Sequence, residues 1–140
     1  QPSLSPDEMQ TEIEFADKSL QKFQEASVKD VVSDNVINML HAFHEGMARE
    51  FNATHKLWRA NLLNAFAEKH LLDYWTPQWR DLDGIGGEVK SYLTFLSSKK
   101  ALTGLGDLVA GTLDIDRYID VIAINSLLEK LDMKDIEKLS

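Results

Sequence analysis

All four histidines of this 140-residue chain, His41, His44, His55 and His70, fall between Asp34 and Trp75. That stretch holds one glycine, Gly46, and no proline. Imidazole ligates metals and titrates near neutral pH, so this grouping is the chain's main concentration of chemistry. On a helical wheel at 100° per residue the four rings share an arc of roughly 80°. The arc overlaps the apolar stripe of Ile37, Leu40, Met47, Phe51, Trp58, Leu62 and Phe66.

Spacing along a continuous helix divides the four. His41 and His44 are one turn apart and Glu45 follows His41 by four residues, so His41, His44 and Glu45 form the candidate metal cluster, to be completed by other helices. His44 and His55 are eleven residues apart, roughly 16 Å along a helix axis, too far to share one ion. The pair His41 and Glu45 matches the His-x-x-x-Glu of haemerythrin-like bundles. The His-x-x-x-His and fifth histidine of that family are missing, as is the paired Glu-x-x-His of di-iron carboxylate bundles.

Arg49 and His55 form Arg-x5-His. This resembles the Arg-x4–6-His motif of HEPN ribonucleases, small all-helical bundles in which the pair acts on RNA across a dimer interface. The resemblance covers those two residues and implies that Arg49 and His55 are catalytic. Against it stands a formal charge of −8, from 15 Lys and Arg against 23 Asp and Glu, spread evenly along the chain. Nucleic-acid binding needs clustered positive charge, so no nucleic-acid partner is expected.

Other chemistries are excluded by their missing parts. Without cysteine there are no disulfides, thiolate zinc sites or cysteine nucleophiles. Asp81, Asp83 and Gly86 open like a calcium loop, but Tyr92 stands where the bidentate glutamate is needed. No phosphate-binding glycine loop and no nucleophile elbow is present. No cofactor is therefore expected, with haem or a transition metal on the histidine-bearing helix as the alternative. No apolar run reaches the length of a membrane span. A soluble protein is expected, cytoplasmic in preference to periplasmic or secreted.

The elements that position these groups are helical. Ser5-Pro6-Asp7-Glu8 carries a capping hydroxyl, a proline at the first helical position and a carboxylate three residues after the cap. Met9, Ile13, Ala16, Leu20 and Phe23 then mark one apolar seam, predicting a helix from Pro6 to about Ala26. Ser33 or Asp34 caps the next helix. Unbroken to Trp75 it would span about 60 Å, longer than a domain of this size is wide. The weakest stretch is Asn52-Ala53-Thr54, so the expectation is either one protruding helix or two helices meeting near there. Six of the seven glycines lie between 84 and 111, predicting loops and short helices there, with a helix over 88–97 and a last one over 114–131.

The expected architecture is a single all-α domain over 1–140, a bundle of four to six helices around one long central helix that is either continuous or broken near residue 52. The expected function is a non-catalytic helical module that binds a protein partner, as an acidic adaptor, inhibitor or immunity-type protein does, or that self-associates. Trp75 and Trp79, at the corner after the long helix, are its candidate anchors. The alternatives are a ligand, haem or metal sensor built on the long helix's histidines, and the HEPN-like ribonuclease.

Overall fold

The computed structural model describes residues 4–26, 32–75 and 85–100, with positions 102, 106, 108, 109, 115, 121 and 124 beyond them. It is an all-α bundle: α1 (Pro6–Ala26), α2 (Asp34–Phe51), α3 (Ala60–Lys69), α4 (Leu71–Tyr74) and α5 (Ile85–Ser98). No strand occurs among the described residues. No helix there is long and apolar enough to cross a membrane. Trp79, residues 81–84 and most of the helix expected over 114–131 lie outside the described residues.

α1 begins as its sequence dictates. The Ser5 hydroxyl accepts from the Glu8 amide at 3.1 Å, and the Glu8 carboxylate accepts from the Ser5 amide at 3.2 Å. This reciprocal capping box satisfies two N–H groups that the first turn would otherwise leave unpaired. The helix buries Ala16, Leu20 and Phe23, chiefly against α2. Phe23 reaches α5, where its ring meets Tyr92 edge-on at 5.3 Å.

α2 is the central element, in contact with each of α1, α3, α4 and α5. Ser33 caps it, accepting from the Val36 amide at 3.1 Å. It ends where the weak stretch begins: Asn52 takes the left-handed conformation (φ 53°, ψ 35°), and the Ala53 amide closes back on the Met47 carbonyl. Asparagine tolerates that conformation better than other side-chain-bearing residues, so the helix stops here rather than bending. A 3-10 turn at His55–Leu57 and extended backbone at Trp58 and Arg59 then lead into α3.

The chain thereby folds back, and α3 and α4 lie against α2 instead of extending it. The close approach falls at Gly46, where a methyl group would overlap the Phe66 ring of α3. Trp75 ends the excursion by donating its indole N–H to the Asn35 carbonyl at 2.9 Å, tying the exit of α4 to the entry of α2. α5 packs on α2 and α1 and contributes the fully buried Tyr92, Leu93 and Leu96.

Candidate functional site, a buried carboxylate between two histidines

The break at Asn52 overturns the separation expected for His44 and His55. On a straight helix they would stand roughly 16 Å apart; in the structure their ring centroids are 6.3 Å apart. The left-handed residue reverses the chain before the second histidine, so His55 returns beside the helix that carries His44. Rise along a single helix axis gives the wrong separation because that axis ends at Phe51.

Between the two rings sits Glu12 of α1. Its Oε2 is 2.7 Å from His44 Nδ1 and its Oε1 is 2.7 Å from His55 Nδ1. Oε2 also accepts from the His55 backbone amide at 3.0 Å. On the far side of His44, Nε2 lies 2.7 Å from the Tyr92 hydroxyl, which has Ser19 as a further hydrogen-bond partner. One connected set of polar groups thus joins α1, α2, the 52–59 loop and α5. All of it is buried: Glu12 is 2% exposed, His44 0% and His55 7%.

Apolar rings hold these groups in place. Phe15 stacks on His55 at 3.8 Å with an interplanar angle of 7°, and meets His44 edge-on. Trp58 packs on His44 at 4.7 Å, its own indole N–H buried and unpaired among the described residues.

Burial alone would raise the Glu12 carboxyl, but the hydrogen bonds from His44 and His55, joined by the attraction of either ring whenever it is protonated, outweigh it and bring it down to about 2. Glu12 is therefore a carboxylate at neutral pH. Burial is the largest influence on His44 and pushes it below its usual range despite the carboxylate. His44 is then neutral, donating from Nδ1 to Glu12 and accepting at Nε2 from Tyr92. The Tyr92 phenol is raised by its burial and stays protonated, as that role requires.

One ligand-type atom from each of Glu12, His44 and His55 lies within 4.8 Å of the other two. Two imidazoles and a carboxylate suit a divalent ion of the zinc type. The cluster has an outlet. Glu12, Phe15 and His55 line a cleft of about 930 Å³ between the first turns of α1, the 52–59 loop and the end of α5. His55 Nε2 has no hydrogen-bond partner among the described residues.

The other sequence candidates go elsewhere. His41 and Glu45 do not join His44. The rings at 41 and 44 leave α2 on different sides, and His41 sits part-exposed beside Asp17 (3.3 Å) and Glu45 (3.9 Å). Arg49 is exposed and paired with Glu45 at 3.1 Å, whereas His55 turns inward to Glu12. The Arg-x5-His pair thus has separate partners and no common site. Trp75 is 5% exposed and spends its N–H on backbone, so it is a core residue and not an exposed anchor. His70 stands near Glu50 and against Phe51.

Glu12 was missed from sequence, although a signal existed. On the helical wheel it lies roughly 20° from Phe23 and 40° from Ala16, an acid inside the apolar arc of α1. Comparison with known protein families, curated proteins and solved structures finds no match for this chain.

Proposed function

We propose that the chain is a non-catalytic, metal-responsive helical module that binds a divalent transition-metal ion at Glu12, His44 and His55. The observation that carries this reading is the convergence of three buried ligand-type side chains, from three separate elements, at the inner end of an open cleft. Three protein ligands leave a coordination position facing that cleft, as in zinc sites that exchange a water or an outside ligand.

The surrounding hydrogen bonds favour the exchange of protons for an ion. Metal binding at Nδ1 requires each histidine to carry its proton on Nε2 instead. His44 Nε2–H then donates to the Tyr92 oxygen, because a hydroxyl serves equally as donor and acceptor. His55 Nε2–H points to no buried acceptor and is served by solvent in the cleft. Tetrahedral ligand atoms around an ion at about 2.1 Å stand about 3.4 Å apart, so each histidine nitrogen must move about 0.7 Å off its 2.7 Å hydrogen bond to the carboxylate. The buried negative charge of Glu12 is neutralised at the same time.

The metal-free site is already satisfied by hydrogen bonds, so the fold does not depend on the ion, unlike that of a zinc finger. The ion instead clamps the 52–59 loop onto α1 and α2, which is how its presence would be transmitted.

Chelator-treated protein is expected to be helical by circular dichroism and to gain thermal stability on adding zinc. With cobalt it should develop visible absorption bands, and both responses should vanish in His55→Ala. A wild type that melts at the same temperature with and without zinc, and shows no cobalt bands, overturns the reading.

A further inference from the structure

An ion at Glu12, His44 and His55 leaves the charge around the cleft unexplained. In a chain of net charge −8, three of the fifteen basic residues, Lys56, Lys99 and Lys100, line this one cleft. Lys56 follows His55 directly, and the other two stand at the end of α5. Among the described residues none of the three forms an ion pair with a carboxylate. The nearby acids are mostly committed: Glu8 caps α1 through Ser5, and Glu12 is held by the two histidines. Asp7 is the remaining carboxylate of the cleft wall. Lys99 rests its ammonium 5.7 Å over the Phe95 ring, an attraction a desolvated anion easily outbids.

Lys100 adds a second kind of observation. Its φ is 60°, in the left-handed region, and its amide donates to the Ser97 carbonyl at 2.9 Å to close α5. This is the helix-ending position at which glycine is unstrained and a side chain is not. A lysine here costs stability, yet it lines the cleft.

We infer that the cleft takes a small molecule bearing an oxyanion, a carboxylate or a phosphate. Lys56 and Lys100 hold the molecule, and its oxygen fills the open coordination position of the ion at Glu12, His44 and His55. The inference rests on the metal reading and extends it by naming the outside ligand. With a divalent ion in place the cleft carries its two charges and those of three lysines against the three carboxylates Asp7, Glu8 and Glu12, so the net field is positive and draws anions inward. Oxygen donors are also the partners a zinc-type ion accepts beside two imidazoles.

The test uses the full chain loaded with cobalt and titrated with malonate and with methylphosphonate, read by visible absorption and calorimetry. At least one probe should shift the cobalt bands at millimolar concentration, and malonate against methylphosphonate distinguishes a carboxylate ligand from a phosphate-like one. In Lys56→Gln/Lys100→Gln the affinity for that probe should fall about ten-fold or more while cobalt binds as before. Lys100→Gly should bind the anion less tightly and melt at a higher temperature, because it relieves the backbone as it removes the charge.

If cobalt binds but neither probe alters its spectrum, or the lysine variants bind the anion as wild type does, the oxyanion inference is overturned and the metal reading stands. If wild type shows no cobalt bands, the metal reading is overturned and takes this inference with it.

Discussion

Glu12→Gln removes one charge and almost no volume, so it isolates what the buried carboxylate contributes. In the folded protein the carboxyl is lowered from 4.5 to about 2, against the opposing effect of burial. A difference of about 2.5 units at 1.36 kcal/mol each is about 3 kcal/mol of stabilisation at neutral pH. The amide of glutamine keeps one acceptor oxygen but turns an NH2 toward imidazole and backbone donors. The glutamine NH2 is accommodated only if His55 moves its proton to Nε2 and accepts at Nδ1, so the hydrogen bonds can be kept while the charge is lost. The sign follows from the direction of the shift. A carboxylate lowered by folding stabilises fully above about pH 4.5, and its contribution disappears as pH falls toward 2. His44, also lowered by folding, is at full effect above about 6.5 and adds its own loss below that value.

Urea unfolding of chelator-treated protein, followed by circular dichroism at a series of pH values, separates the two. Glu12→Gln should be less stable than wild type by about 3 kcal/mol at pH 7, with the gap narrowing below about pH 4.5 and nearly closed by pH 2. A variant as stable as wild type at pH 7, or a gap that stays constant into acid, would refute the account of the carboxylate given above.

Gly46→Ala should gain roughly 1 kcal/mol of helix propensity and lose more to overlap with Phe66, for a net destabilisation of about 1–2 kcal/mol in urea; a more stable variant would mean that α3 can shift away. Asn52→Ala should cost about 1 kcal/mol because its φ is 53°, while Asn52→Gly stays within a few tenths of wild type, and equal losses in both would point to the side chain instead. Tyr74 donates to Glu50 at 2.8 Å, and burial, followed by that carboxylate, raises its phenol to about 12. Its contribution to stability is therefore complete below about pH 10 and fades as pH rises through 12. Phenolate absorbance should show a tyrosine titrating near 12, ahead of the still more strongly raised Tyr92, that moves toward 10 in Glu50→Gln while Tyr92 does not.

Local rules carried much of the fold into view. The Ser5–Glu8 capping box and the seam of Ala16, Leu20 and Phe23 predict α1 at its observed bounds. The poor helix formers at 52–54 mark the break. The site was not legible in the same way, because its members meet through long-range packing: Glu12 and His55 are 43 residues apart, His44 and Tyr92 48. Periodicity says which face of a helix is buried, but not which buried faces meet. It put His44 on the correct side of α2 while grouping it with His41 and Glu45, neighbours in sequence that turn toward solvent. The return of His55 depends on one left-handed residue, and no spacing argument along a helix contains it.

The bond from the His55 amide to the Glu12 carboxylate bears on how the molecule opens. A chain segment between two helices ordinarily exchanges its amide hydrogens by small, frequent excursions. Here one loop amide is bound to a helix 43 residues away, beneath stacked Phe15 and beside Trp58. Its hydrogen should be released only when α1 parts from α2, so the 52–59 segment belongs to the same cooperative unit as the core and unfolds with it.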